Sequence, residues 1–415
     1  MADTIIKINE LSINSGFYAT TIISFPYSLK NQNSKVINLD ISIKGTSPDN
    51  TLANLKTLFN ELYKIKDESK DCILEIKPAT TKSTFYEILN YEIRTRDFSK
   101  LPINNQIWIN IGLLVDNFGY SELLNIGDSE TPHATKTLPN YFDISATKGD
   151  ISAFTEFFMK LLSADDIYNI YYGLKSEKLI SDITNFLPVL EAESQTLTNM
   201  TLTADADCRG GNKAYSDIAY PTADWATYIK FSLNNANYKG RYLVLVRCES
   251  ESASDDVIKI RLKYGDLYND LYSFKAEDTN LWRLIELGEI QVPYSETQAT
   301  NSNYEIQLIG NGSDRIGIDY IALIPIDESF GIRKSEIGII SQNEIYEVDT
   351  IKKILSTYLQ DENDNNNYDR GNFVYLPKGK VRIVVVSDSI TENKITDQMS
   401  FWLNYKARYK FLRSD

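Results

Sequence analysis

The chain has 415 residues, more than one hydrophobic core usually serves, so two or three domains are expected. Its 43 lysines and arginines stand against 57 aspartates and glutamates, a formal charge of −14, and no basic run offsets this locally. That excludes a phosphate-neutralising nucleic-acid surface, which needs clustered cations to displace counterions.

A hydrophobic share of 42% is ordinary for globular domains, while 27 Tyr and 17 Phe beside 4 Met favour strands. Cys72, Cys208 and Cys248 form no CxxC pair and are expected as small buried residues. Met1-Ala-Asp-Thr4 starts no basic stretch leading into an apolar one, and no run of about 18 apolar residues follows anywhere. Synthesis in a cytosol without export, and no membrane insertion, are therefore expected.

In chain order, residues 36–43 alternate apolar and polar and predict a strand, ended by Gly45-Thr-Ser-Pro48. A helix follows, with Ser47 as its cap, Pro48 in its first turn, and Leu52, Leu55, Leu58, Phe59 and Leu62 forming one apolar face. Strands at 71–77, 85–94 and 106–115 complete an α+β unit of about 125 residues. Residues 119–150, rich in Gly, Ser, Thr, Asp and Pro, read as loop. Short strands resume at 152–160, where the Phe spacing fits a helix equally, and at 167–174.

Between Phe186 and Asp327, strands at 213–216, 226–233, 241–248, 256–264, 282–287, 304–309 and 316–324 carry the spacing of a β-sandwich. Further strands are expected at 337–348, 381–387 and 399–412, with Asp361–Tyr368 as a solvated acidic loop. The fold class is thus mainly β and multidomain: an N-terminal α+β domain (1–128) and two sandwiches of jelly-roll type. One of these is split into 129–186 and 327–415 around the other, 187–326.

The catalytic inventory is poor. His133 is the single histidine and sits in a Pro- and Thr-rich loop, and no GxSxG, GKS/GKT, GxGxxG or HExxH string occurs. A pair of carboxylates could still serve a glycosidase, but no pair is marked out. The expectation is a protein without catalytic activity.

The middle segment resembles carbohydrate-binding modules of the galactose-binding-domain-like type. Five landmarks come in that family's order: Glu191-Ala-Glu193, Gly210-Gly211 before a strand, Gly240–Arg247, Trp282 ahead of Leu287-Gly288, and Ile318-Asp-Tyr-Ile321. The resemblance implies a structural calcium ion held by Glu191, Glu193 and Asp319; the same glutamates also fit side chains turned to solvent. It further implies sugar stacking on loop aromatics, here Tyr215, Tyr220 and Trp225, which fit sheet packing as well. The loop Asn311-Gly-Ser-Asp-Arg315 departs from the family in carrying no aromatic.

The outer parts resemble siphophage distal tail proteins. The matching features are the Ile43–Ser47 turn before a helix, the strand block ending near Leu114, the Tyr375-Leu-Pro-Lys-Gly379 turn, and the closing stretch Ser400–Leu412. This implies a virion protein of the tail tip, assembled in the host cytoplasm. It would form a ring with copies of itself, six-fold in symmetry, joining tail-tube protein to hub or fibre proteins, with host surface glycan as a further partner of the insertion. Another virion position (capsid decoration or neck) and a carbohydrate-binding protein unconnected with a tail are the alternatives.

Overall fold

The computed structural model describes residues 4–24, 34–64, 72–78, 82–94, 105–116, 118–146, 149, 151–178, 180, 183–216, 226–250, 257–264, 267–275, 281–292, 303–311, 315–333, 340–349, 354–359, 362–365, 370–371, 374–389 and 397–409. The protein is mainly β, built from several antiparallel sheets. It divides into two compact units, Met1–Leu124 with Lys148–Ala153 and Tyr405–Asp415, and Asn125–Thr147 with Phe154–Asn404.

In the first unit the strand Ser34–Lys44 keeps the alternation read from its sequence, burying Ile37, Leu39, Ile41 and Ile43 on one face. It lies between Tyr18–Ser24 and Gln106–Asp116. The chain then turns sharply at Gly45, where a Cβ would run into Thr51. Ser47 caps the helix Pro48–Tyr63, its Oγ accepting from the Asn50 N–H at 3.2 Å, and the Asn50 side chain accepts from the Thr46 N–H at 3.1 Å. Leu55, Leu58 and Leu62 pack the helix onto the apolar face of the sheet, whereas Leu52, expected on that face, stands 44% exposed.

Thr84–Ile93 serves two ladders: its first half pairs with Ile73–Lys77, and after an irregularity at Ile88/Asn90 its second half pairs with Gln106–Asp116. One extra residue bends a strand, which lets it do this. The other face of the sheet carries polar pairs beside the exposed Trp108. Asn110 donates to Asp40 at 2.6 Å, and Arg94 lies over Gly112, donating to Asn38 at 2.9 Å and Glu92 at 2.8 Å. Tyr405–Asp415, read with the closing sandwich, belongs to this unit instead. There Ala407 N–H donates to Ser121 Oγ at 3.0 Å and Arg408 covers the Phe118 ring at 4.5 Å.

The second unit contains two layered pairs of sheets. In one, Asn140–Ala146, Gly379–Ser389, Ile167–Ser176, Ser329–Arg333 and Arg370–Gly371 lie side by side. The facing sheet contains Ile345–Asp349, Ile354–Leu359 and Glu362–Asn365 beside the parts of Ile151–Leu161 and Gln398–Tyr409 that belong to this unit. Phe142 meets Phe401 at 4.8 Å and Phe157 meets Tyr172 at 6.1 Å across the interior. Ile151–Leu161 is therefore a strand and not a helix. Two loop expectations are corrected. Residues 119–150 hold Gly119–Ile126, Ala134–Thr137 and Asn140–Ala146, and the acidic run holds Glu362–Asn365, because each has a neighbour whose backbone it can pair with.

Residues 187–326 supply the other pair of sheets. Met200–Ala204, Asn212–Ser216, Ile316–Pro325, Gly240–Ser250 and Arg283–Val292 form one, with Val189–Glu191 also on Ile316–Pro325. Thr196–Leu197, Ala226–Asn234, Asn303–Asn311, Val257–Tyr264 and Leu267–Lys275 form the other. Every residue of Ile316–Pro325 is buried, because this strand has a layer on each face: it also packs on Ile167–Ser176 and Gly379–Ser389. The contact is close. At Gly173 a Cβ would run into the Pro325 carbonyl, with Ile324 Cγ2 at 2.9 Å. One apolar core accordingly runs from Tyr171, Ile332, Val384 and Val386 into Leu245, Ile321 and Leu323, with no break at the 186/187 and 326/327 boundaries.

Candidate binding site on the inserted sandwich

The carboxylates singled out in the sequence come together around one short turn. Glu191 ends the strand Val189–Glu191, Glu193 lies in the turn Ala192–Ser194, and Asp319 lies within Ile316–Pro325. All three reach the segment Arg209–Asn212, whose Gly210 has φ +82° and no room for a Cβ beside the Glu193 carboxylate.

At the centre of this arrangement stand cationic side chains. Arg247 Nη1 donates to Asp319 Oδ2 at 2.6 Å and to the Asp207 carbonyl at 3.0 Å. The Arg209 main-chain N–H donates to both Asp319 oxygens, at 3.1 and 3.3 Å. Arg209 Nε donates to Glu191 Oε1 at 2.7 Å, and Asn212 donates to Glu193 Oε2 at 2.8 Å. Burial pushes the Asp319 carboxyl up to about 6 against the pull of Arg247 and Arg209, so it is still ionised at neutral pH.

A second layer lies beside it. Lys213 bridges Asp205, at 3.1 Å, and Glu249, and these contacts hold its ammonium charged despite the opposing effect of burial. The Trp282 ring lies 4.7 Å from the Arg247 guanidinium and 5.8 Å from Lys213 Nζ, shielding the ion pair from water. Cys208, buried next to Asp319 and Asp205, has its thiol pushed above the usual range, first by burial and then by those charges, and stays protonated.

Of the aromatics expected to stack on a sugar, Tyr215 lies on Asn212–Ser216 with Lys213 Nζ 5.0 Å and the Arg315 guanidinium 5.8 Å from its ring. Tyr220 and Trp225 lie outside the described residues. His133 donates from Nε2 to the Asp143 carbonyl at 2.9 Å and tilts against Phe142. Sequence reasoning missed Arg209, Arg247 and Lys213. Arg247 carried a signal: a charge following Leu243–Val246 inside an apolar strand must be paired if it is buried.

The insertion is held at both of its ends by buried cations of the surrounding sandwich. Arg382 forks onto Asp143, with both bonds at 2.7 Å, donates to the Phe186 carbonyl and lies 4.0 Å from the Tyr141 ring. Lys175 pairs with Asp327 at 3.2 Å, donates to the Lys239 carbonyl and lies 4.9 Å from the Tyr242 ring. Arg209 Nη1 donates to the Pro139 carbonyl, tying the carboxylate cluster to the same sandwich.

No family model and no curated protein matches the chain. Among solved structures, chains of the phage P2 baseplate in its activated conformation align over 99% of both chains at 9% identity. Their TM-scores are 0.29 with calcium and 0.30 with strontium. The CBM22-1–GH10 modules of a Clostridium thermocellum endo-1,4-β-D-xylanase with xylohexaose align at 11% identity and TM-score 0.25. That match covers 39% of this chain and 29% of the xylanase. At such TM-scores these likenesses decide neither fold nor function.

Proposed function

We propose that this chain is a non-catalytic structural protein of a phage virion, of the distal tail type. Its first unit makes a ring that joins tail-tube protein to the hub or fibres, and its inserted sandwich is the part that would meet host surface glycan. The observation that carries the reading is the split sandwich. Ile167–Ser176 has Ser329–Arg333 on one side and Gly379–Ser389 on the other, so that sheet is completed only after the insertion. An α+β unit followed by an interrupted sandwich is the organisation that the resemblance of the two chain ends implies.

Ring assembly has support of its own. Of the ten large apolar side chains exposed among the described residues, all but Leu187 and Leu202, hence eight, belong to the first unit, the smaller of the two. Phe17, Tyr63 and Trp108 are among them. Apolar side chains left exposed in this unit are what contacts with neighbouring copies would cover. A head-to-tail contact repeated by rotation closes into a ring when the rotation divides a full turn.

Light scattering tests this. Full-length protein should have the mass of a closed oligomer, and a chain lacking residues 1–124 should be monomeric. A full-length monomer at high concentration would favour a freestanding binding module instead.

A further inference from the structure

We infer that the inserted sandwich supplies its own cations where modules of its type take calcium: the guanidinium groups of Arg247 and Arg209 hold Asp319 and Glu191, and the sandwich folds without a divalent ion.

Calcium gathers six to eight oxygens, carboxylates and main-chain carbonyls together. Arg247 Nη1 already has that kind of environment, with the Asp319 carboxylate at 2.6 Å and the Asp207 carbonyl at 3.0 Å. The Asp319 side chain is fully buried and both its oxygens are engaged, Oδ2 by Arg247 and Oδ1 by the Arg209 N–H. Glu191 and Glu193 accept instead from Arg209 and Asn212. Two carboxylate charges, Asp319 and Glu191, are thus matched by two guanidinium charges. A divalent ion in the same place would be left with like-charged neighbours a few ångströms away. Among the described residues no group of three or more His, Cys, Asp or Glu is arranged to hold a metal. The three carboxylates accordingly do not fit the calcium site that the family resemblance implies.

The test uses full-length protein treated with chelator and then dialysed. Calorimetry with and without added calcium chloride should give the same melting temperature, and elemental analysis should find no stoichiometric metal. An ion bound only by the native state would raise the melting temperature with the logarithm of its concentration, which would overturn the inference. Arg247→Met, which keeps an unbranched apolar side chain but no guanidinium, should melt at lower temperature in calcium and in chelator alike, and a variant as stable as the parent would also overturn it. If Arg247→Met does not fold, the more exposed Arg209→Gln takes its place. It should lower the melting temperature by the same amount with or without calcium, and an unchanged melting temperature would count against the inference.

Discussion

Lys175→Met should be among the most destabilising single changes in the second unit. Its side chain is fully buried and Asp327 is nearly so, and the pair stands 3.2 Å apart where the insertion returns to the surrounding sheet. Burial lowers the Lys175 ammonium from its ordinary value, with Asp327 pulling the other way. Methionine keeps an unbranched apolar side chain but removes the ammonium beside Tyr242 and leaves Asp327 Oδ2 with the Arg241 N–H, at 2.8 Å. Removing one partner of a buried ion pair costs about 3–5 kcal/mol, while replacing both costs much less. Urea unfolding of the full chain, followed through the transition of this unit, should show a loss of that size. Lys175→Met with Asp327→Asn should recover a substantial part of it. A single-variant loss below about 1 kcal/mol, or strict additivity of the two changes, would refute the reasoning.

Gly173→Ala should cost roughly 1–3 kcal/mol by forcing the last strand of the insertion off its seat, and protease sensitivity near residues 186 and 327 should rise with it. Asp397 is buried, with Oδ1 unpartnered and Oδ2 bonded to Ser387; burial and the Asp165 and Asp388 charges push its pKa up to about 6 from 3.8. Its folded value lies above the unfolded one, so the fold is favoured while it is protonated. Stability should fall as pH rises from about 4 through 6, by an amount on the order of 3 kcal/mol for this group. Melting curves of Asp397→Asn should be flatter across that range but not flat, since Asp319 shifts in the same direction. Trp108→Ser, at a side chain 63% exposed, should leave melting within about 0.5 kcal/mol of the parent while lowering the mass of the assembly. An assembly mass equal to the parent's would show that Trp108 lies outside the contact between copies.

How much was legible in the sequence follows from local physics. The alternation of 36–43 and the Ser47-Pro48 start needed no tertiary information, and both appear as read. The strands Ala134–Thr137 and Asn140–Ala146 were hidden because they are short and polar on alternate residues. What makes them strands is pairing with Gln398–Tyr409 and Gly379–Ser389, far along the chain. Ile316–Pro325 was read as a strand, but its run of ten residues without alternation also reported a second covering layer, which is where the insertion shares its core. At the candidate site the carboxylates were found where a turn gathers them. Their arginine partners, in sequence 18 and 72 residues away, could be found only by asking what a buried charge is paired with.

Electron micrographs of the purified full-length protein test the proposed ring assembly most directly. Ring assembly predicts closed rings whose class averages show a rotational axis, six-fold by the resemblance of the chain ends. A field of single particles of monomer size, unchanged at high protein concentration and in the presence of tail-tube protein, would contradict it.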